Sequence, residues 1–319
     1  MAAEGTRDAY GRAIVELARE HKNVYAMDCD LGRSTRAYRI TEADPQRFIE
    51  MGIAEQDMMS TAAGMASMGK VVFVNSFAVF LTGRAYDQIR QQVSLPGMNV
   101  KICASSSGIT QGPDGATHQS VTDMNLMRGL PNMAVLSPAD GRQTEEMVRF
   151  AYEYNGPVYI RLSRYLTPPL VPEGLSFELG KAQTLAEGTD VAIISTGPVL
   201  KNVLEAVPLL EERGLSCGIY NIPTIKPIDT GILQSLAARY PLIVSVEEHS
   251  IIGGLGTAIA ETLAEMDKET CKARLFRLGV KDCYGESGSA EELLARHGLD
   301  AKGITKGILE NTAKSGRKR

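Results

Sequence analysis

Tryptophan is absent from this sequence, and 319 residues contain only 4 histidines and 7 phenylalanines. A site built on imidazole or on a phenyl ring therefore has few positions to draw on. No Cys-x-x-Cys pair occurs. The five cysteines (Cys29, Cys103, Cys217, Cys271 and Cys283) are odd in number and scattered, which excludes a paired-thiol framework and predicts reduced thiols in a cytoplasm. No apolar run reaches membrane-spanning length, and no signal peptide is read at the start, so a cytoplasmic location is expected. There is no overall basic excess. The net charge is −4, which argues against a nucleic-acid-binding protein. The only basic run, Lys314-Ser-Gly-Arg-Lys-Arg319, reads as a solvated end.

What is present suits a sizeable core. Hydrophobic residues make up 44% and charged residues 23%, in a length that accommodates two ordinary domains. Apolar runs at 23–28, 47–53, 70–74, 99–104, 133–136 and 158–162 predict strands, interleaved with helical patterns such as 5–21 and 139–154. Thr167-Pro-Pro-Leu-Val-Pro-Glu-Gly174 cannot hold regular structure and reads as an extended linker. A second alternation follows, with four strands expected at 191–195, 216–221, 242–246 and 274–278. The fold class expected is α/β: two doubly wound domains, 1–165 and 190–319, joined by a linker over 166–189. Gly253-Gly-Leu-Gly256 reads as a strand-to-helix turn. It is not a dinucleotide loop, because Ile259 occupies the position where such a loop needs its last glycine.

The stretch Met51-Gly-Ile-Ala-Glu-Gln-Asp57 sits where a strand turns into a helix. Glu55 is expected at that helix's N-terminus, where free N–H groups and the dipole favour a carboxylate. The following stretch, 58–68, is almost uncharged and predicts a buried helix. A carboxylate beside it needs a partner or a proton, and a ligand nitrogen is one such partner. Phe77 and Phe80 lie just past a strand's C-terminal end, the edge where open parallel sheets bind ligands. They read either as core packing or as part of a site. Arg84 and Asp87 are spaced to pair on one helical face. The glycine-rich loop 105–120 contains Asp114 and His118, and long loops of this kind are often functional. Arg33, Arg36 and Arg39 lie on a polar loop, either solvated or placed to clasp an anionic substrate. Arg161 and Arg164 bracket the end of a strand.

Six separated stretches, in order, resemble the transketolase superfamily. They are Gly52-Ile-Ala-Glu-Gln56, Phe77-Ala-Val-Phe80, Arg84-Ala-Tyr-Asp-Gln88, Gly112-Pro-Asp-Gly-Ala-Thr-His-Gln119, Arg161-Leu-Ser-Arg164 and Val246-Glu-Glu-His-Ser-Ile-Ile-Gly-Gly-Leu-Gly256. The resemblance covers essentially the whole chain. It is strongest to the C-terminal subunit of a split transketolase, in which one enzyme is divided between two polypeptides. Deoxyxylulose-phosphate synthases and the beta subunits of keto-acid dehydrogenases share the layout. A non-catalytic subunit that only assembles with a partner is a further reading.

The resemblance implies a pyrimidine-binding domain followed by a transketolase C-terminal domain, with thiamine diphosphate shared between two chains. The family's Gly-Asp-Gly metal motif is missing here. The Mg²⁺ ligands and the diphosphate site are therefore expected on an N-terminal partner subunit, in an α2β2 heterotetramer. Glu55 matches the carboxylate that hydrogen-bonds the pyrimidine N1′ and favours the imino tautomer, so that the 4′ nitrogen removes the thiazolium C2 proton. Ile53, Phe77, Phe80 and Arg84 match positions around the cofactor. His118 matches a substrate-hydroxyl contact with a catalytic role, and Asp114 an acceptor for a sugar hydroxyl. Arg164, with Arg33 and Arg36, matches positions that hold a sugar phosphate. The activity implied is transfer of a two-carbon ketol unit from a ketose phosphate to an aldose. Two positions depart from the pattern: Ser106 stands where full-length transketolases carry His, and Asp57 where many relatives carry His.

Overall fold

The computed structural model describes residues 2–316, with side chains to residue 312. The basic run at 314–319 therefore falls outside the described side chains. Twelve strands are present among the described residues: β1 (Val24–Asp28), β2 (Phe48–Glu50), β3 (Val71–Phe77), β4 (Val100–Ser105), β5 (Ala134–Leu136), β6 (Val158–Arg161), β7 (Gln183–Ala186), β8 (Val191–Ser195), β9 (Cys217–Asn221), β10 (Thr224–Lys226), β11 (Leu242–Ser250) and β12 (Arg274–Val280). They form a seven-stranded sheet, β10-β5-β6-β4-β3-β1-β2, and a five-stranded sheet, β12-β11-β8-β9-β7. β1, β3, β4, β5, β6, β8, β9 and β11 pair in parallel along their sheets, as buried apolar strands linked by helices require.

In the first sheet the chain leaves β1 for β2 on one side and then crosses back to β3 on the other. The order reverses between β1 and β3, so the loops leaving their C-terminal ends diverge and open a crevice. In the second sheet the chain leaves β8 for β9 and returns to β11 on the far side, so the reversal falls between β8 and β11.

Helices cover both faces of the first sheet. On one face, Tyr10, Ile14 and Leu17 of the Thr6–Glu20 helix and Met147, Val148 and Ala151 of the Gly141–Glu153 helix pack on Phe73, Leu136 and Ile160. On the other face, Met58, Met59 and Ala62 of the Glu55–Ser67 helix join an apolar cluster. That cluster continues into Ile194, Leu233, Leu236 and Leu255 of the second half. The Glu55–Ser67 helix is not buried all round, as its lack of charge suggested. Gln56, Asp57, Gly64 and Ser67 are exposed, because the sheet and its neighbours cover only the Met58–Ala62 side.

Three features of the second half differ from the sequence expectation. Its sheet has five strands, not four, because β7, inside the 166–189 stretch read as a linker, pairs antiparallel with β9. The 242–246 strand extends to Ser250. β10 leaves its own half and pairs antiparallel with β5, covering the edge of the first sheet. These short edge strands are set by cross-strand partners rather than by local apolar pattern, so periodicity alone does not find them. The Pro-rich stretch is irregular but fixed. Asp140 N-caps the Gly141–Glu153 helix through Gln143 N (2.9 Å) and accepts from Leu170 N (2.7 Å) and Val171 N (3.0 Å) with its other oxygen.

Candidate active site

The crevice at the β1/β3 reversal is a cavity of about 240 Å³ lined by Cys29, Asp30, Leu31, Ile53, Glu55, Phe80, Arg84 and His118. All of these but His118, which comes from the long loop 105–120, follow closely on a strand's end. Cys29, Asp30 and Leu31 follow β1, Ile53 and Glu55 follow β2, and Phe80 and Arg84 lie on the short Ala78–Arg84 helix after β3.

Glu55 is the first residue of its helix and is 1% exposed. Its carboxylate is not left alone. Arg84 Nη1 donates to Oε2 at 2.6 Å, and Ser76 Oγ donates to Oε1 at 3.3 Å. The Arg84–Asp87 pair suggested by spacing is thus replaced by Arg84–Glu55, because the buried carboxylate needs a charge partner more than the solvated Asp87 does. The Arg84 guanidinium also lies over the Phe80 ring, 5.1 Å from its centroid.

Phe77 and Phe80 stack at 6.1 Å and 14°. His118 meets Phe80 edge-on at 5.2 Å and 79°, and Phe77 at 6.2 Å and 70°. Its Nδ1 is 2.9 Å from Thr117 Oγ1. The long loop therefore folds back so that its imidazole reaches the aromatic wall beside Glu55. Phe77 itself is buried behind Phe80.

The remaining candidates sit beside this cavity, not in its lining. Asp114 accepts from Gln111 Nε2, and Arg164 Nη1 stands 3.9 Å from its carboxylate while donating to Gln111 O at 3.4 Å. A neighbouring pocket shares Asp30 and Leu31 and continues to Arg33, Ser34 and Tyr38. Arg33 is exposed and stacks over Tyr38 at 5.0 Å. Arg36 is tied to Asp8 (2.6 Å), and Arg39 to Glu42 (2.8 Å). Arg7, which sequence reasoning passed over, donates to Ser34 O at 3.0 Å. Burial lowers the pKa of its guanidinium. Asp8 opposes this, and the charges of Arg36 and Arg164 add to the lowering. Arg7, Arg36 and Arg164 thus converge from three distant parts of the sequence. Only their shared sign hinted at it.

A second polar cluster lies where the two halves meet. Arg161 is buried and donates to Asp123 from Nε (2.8 Å) and Nη2 (3.3 Å), and to Glu248 O from Nη2 (2.9 Å). Tyr159 OH donates to Asp123 at 2.7 Å. Burial pushes the Asp123 carboxyl up, but Arg161 and His249 outweigh it and leave the pKa lowered. Glu247 accepts from Leu255 N (2.7 Å) and Gly256 N (2.8 Å), capping the Leu255–Ala264 helix. The Gly253–Gly256 turn exists for that cap: a β-carbon on Gly254 would lie 1.9 Å from Glu247 Oε2. Burial pushes the Glu247 carboxyl up to about 7, against those N–H donors, and drops His249 to about 4. Among the described residues, no group of three or more His, Cys, Asp or Glu side chains is placed to hold a metal ion, and no helix is long and apolar enough to cross a membrane.

Taken together, this is a two-domain α/β protein with a carboxylate, an aromatic pair and an imidazole gathered at the switch point of its first sheet. Residues 3–169 match the family described as transketolase, pyrimidine binding domain, and residues 180–304 match transketolase, C-terminal domain. A protein of Methanocaldococcus jannaschii named for a transketolase C-terminal section is 42% identical over 98% of this chain and 97% of its own length. The 6-deoxy-6-sulfo-D-fructose transketolase subunit of a Clostridium species is 38% identical over 96% of this chain and 94% of its own. A solved structure of a split gene transketolase, an inactive beta4 tetramer, superposes with a TM-score of 0.88 at 41% identity, over 97% of this chain and 99% of that one. The chain belongs to the transketolase family and corresponds to the C-terminal section of a split transketolase.

Proposed function

We propose that this chain is the C-terminal subunit of a thiamine-diphosphate-dependent enzyme that transfers a two-carbon ketol unit from a ketose phosphate to an aldose. The observation that carries the proposal is Glu55. It is a carboxylate 1% exposed at a helix N-terminus, opening onto a cavity of about 240 Å³ at a sheet switch point. An aminopyrimidine fits that cleft: a buried acid on one wall, with Ile53, Leu31 and Phe80 offering apolar faces elsewhere. Thiamine diphosphate, when bound, supplies the nucleophilic carbon that ketol transfer needs.

The chain's own residues do the rest. Glu55 accepts a hydrogen bond from the ring nitrogen and governs its proton, with Arg84 and Ser76 fixing the carboxylate's orientation. Phe80, backed by Phe77, presents a ring face to the pyrimidine. His118 stands at the rim to contact a sugar hydroxyl, and Asp114 accepts from another. Arg164 and Arg36, with Arg7 beside them, place positive charge where a terminal phosphate would sit, and Arg33 extends that patch. We assign the pyrimidine-binding domain to 1–165, the linker to 166–189 and the C-terminal domain to 190–319. The diphosphate and its Mg²⁺ belong, on this reading, to an N-terminal partner subunit in an α2β2 assembly. The match over nearly the full length of a transketolase C-terminal section supports that division.

Calorimetric titration of thiamine diphosphate and Mg²⁺ tests it, first with the chain alone and then with its N-terminal subunit added. Binding is expected only in the mixture, followed by ketol transfer from phosphorylated ketoses. Tight Mg²⁺-dependent binding to the chain alone would overturn the split-site reading. In the assembled enzyme, Glu55→Ala is expected to cost about 10²–10⁴ in rate. Full activity in that variant would remove Glu55 from its role.

A further inference from the structure

The loop Ser105–Ser120 carries Asp114 and His118 on the first domain, yet the second domain holds it at both ends. Its turn Ile109–Asp114 begins with Thr110 N donating to Glu248 Oε1 at 2.6 Å. Near its other end, Gln119 Nε2 donates to Gly112 O (3.0 Å) within the loop and to Glu286 O (2.8 Å) across the interface. Glu248 is 2% exposed and does not line the cofactor-sized cavity. It reaches the loop only because residue 108 is glycine. A β-carbon there would lie 2.1 Å from Glu248 Oε1, and φ is +77°, where side chains are strained. The Glu248 carbonyl also accepts from Arg161, so the backbone bearing this carboxylate is itself anchored.

We propose that Glu248 is a positioning residue: a second-domain carboxylate that fixes the start of the Ile109–Asp114 turn and so aims Asp114 and His118 at the sugar. Its kinetic consequence rests on the ketol-transfer reading; its structural consequence does not. What the loop needs from Glu248 is an oxygen acceptor more than a charge. Burial raises its pKa against the pull of Arg161. Glu248→Gln keeps such an oxygen. Glu248→Ala removes it and leaves the Thr110 N–H buried without an acceptor.

Two measurements on intact material test this. Hydrogen exchange of the full chain, read by mass spectrometry, is expected to quicken across 109–119 in Glu248→Ala and to return towards normal in Glu248→Gln. In the assembled two-subunit enzyme, Glu248→Ala is expected to raise KM or lower kcat for the ketose phosphate by up to about 10²-fold, the scale of an ångström's misplacement. Thiamine diphosphate affinity should stay unchanged. Unaltered exchange at 109–119, loss of cofactor affinity in parallel with activity, or equal damage from Gln and Ala would each overturn the proposal. Should Glu248→Ala fail to fold, Glu248→Asp decides. It withdraws the same oxygen by one methylene, so a loosened 109–119 supports the proposal and an unchanged one sinks it. If the enzyme shows no ketol transfer with any sugar phosphate, the functional reading fails, while the exchange result still decides about Glu248.

Discussion

The two sheets have the same winding and meet different fates at their switch points. At β1/β3 the diverging loops leave a cavity, and Glu55 faces it with a half-exposed arginine as partner. At β8/β11 the corresponding space is filled. Glu247 caps the helix of its own domain, Glu248 takes hold of a loop from the other domain, and Arg161 with Asp123 closes the interface. One topology thus makes an open crevice in one domain and a socket for the neighbouring domain in the other. A carboxylate at such a point is not evidence of a site. What separates the two is whether the carboxylate borders an open cavity, as Glu55 does, or is packed against backbone donors of the protein itself, as Glu247 and Glu248 are.

That contrast can be broken by substitution. The largest effect on stability is expected at the filled point. Arg161→Ala strands Asp123 in the core and should cost about 3–5 kcal/mol in denaturant unfolding. A loss under 1 kcal/mol would mean the socket is not a stability element. Gly254→Ala should come next, at about 2 kcal/mol, because its β-carbon displaces Glu247 from its two N–H donors. Arg84→Ala, at the open point, should cost less, about 1–2 kcal/mol, since the buried Glu55 carboxylate loses its charge partner but keeps the Ser76 donor beside a cavity. Its effect should appear in cofactor binding, and calorimetry of the assembled enzyme separates the two.

Titration sharpens the comparison further. Asp28, at the end of β1, and Glu247 are both pushed by burial to about 7 from ordinary acidic values. Each holds its proton in the folded state while the unfolded chain has released it. The folded state therefore binds more protons from about pH 4 to 7, and both groups make stability fall as pH rises through that window. Asp28→Asn and Glu247→Gln should each flatten part of that fall. Lys101 works the other way. Buried under the carbonyls of Tyr154 and Gly156, it is lowered to about 7. The unfolded chain then binds the extra proton between pH 7 and 10.5, so stability rises across that range, and Lys101→Met should remove the rise. Smallest of all, Arg39→Ala breaks only an exposed pair with Glu42 and should change neither unfolding nor KM, whereas Arg164→Ala should raise KM for phosphorylated sugars.

The local pattern was enough to read most parallel strands, the helix starting at Glu55, and the glycine turn before Leu255. Each is a short-range consequence of apolar periodicity and capping. It was not enough for β7 and β10, whose few residues form strands only because a partner edge lies beside them. Nor did it reveal that the Glu55–Ser67 helix buries one side only, since an uncharged surface reads the same whether covered or exposed. In the site, Glu55, Phe80 and His118 were legible as residue types in telling places. Arg84's true partner was not, because a contact across 29 positions depends on how two helices meet. The sequence by itself determined which residues carry acid, ring and imidazole, and that two α/β units follow one another. Only the tertiary structure decided which acid stays available. Glu55 and Glu248 are equally buried, and what differs is the neighbour each one meets: an open crevice for the first, a backbone N–H of the other domain for the second.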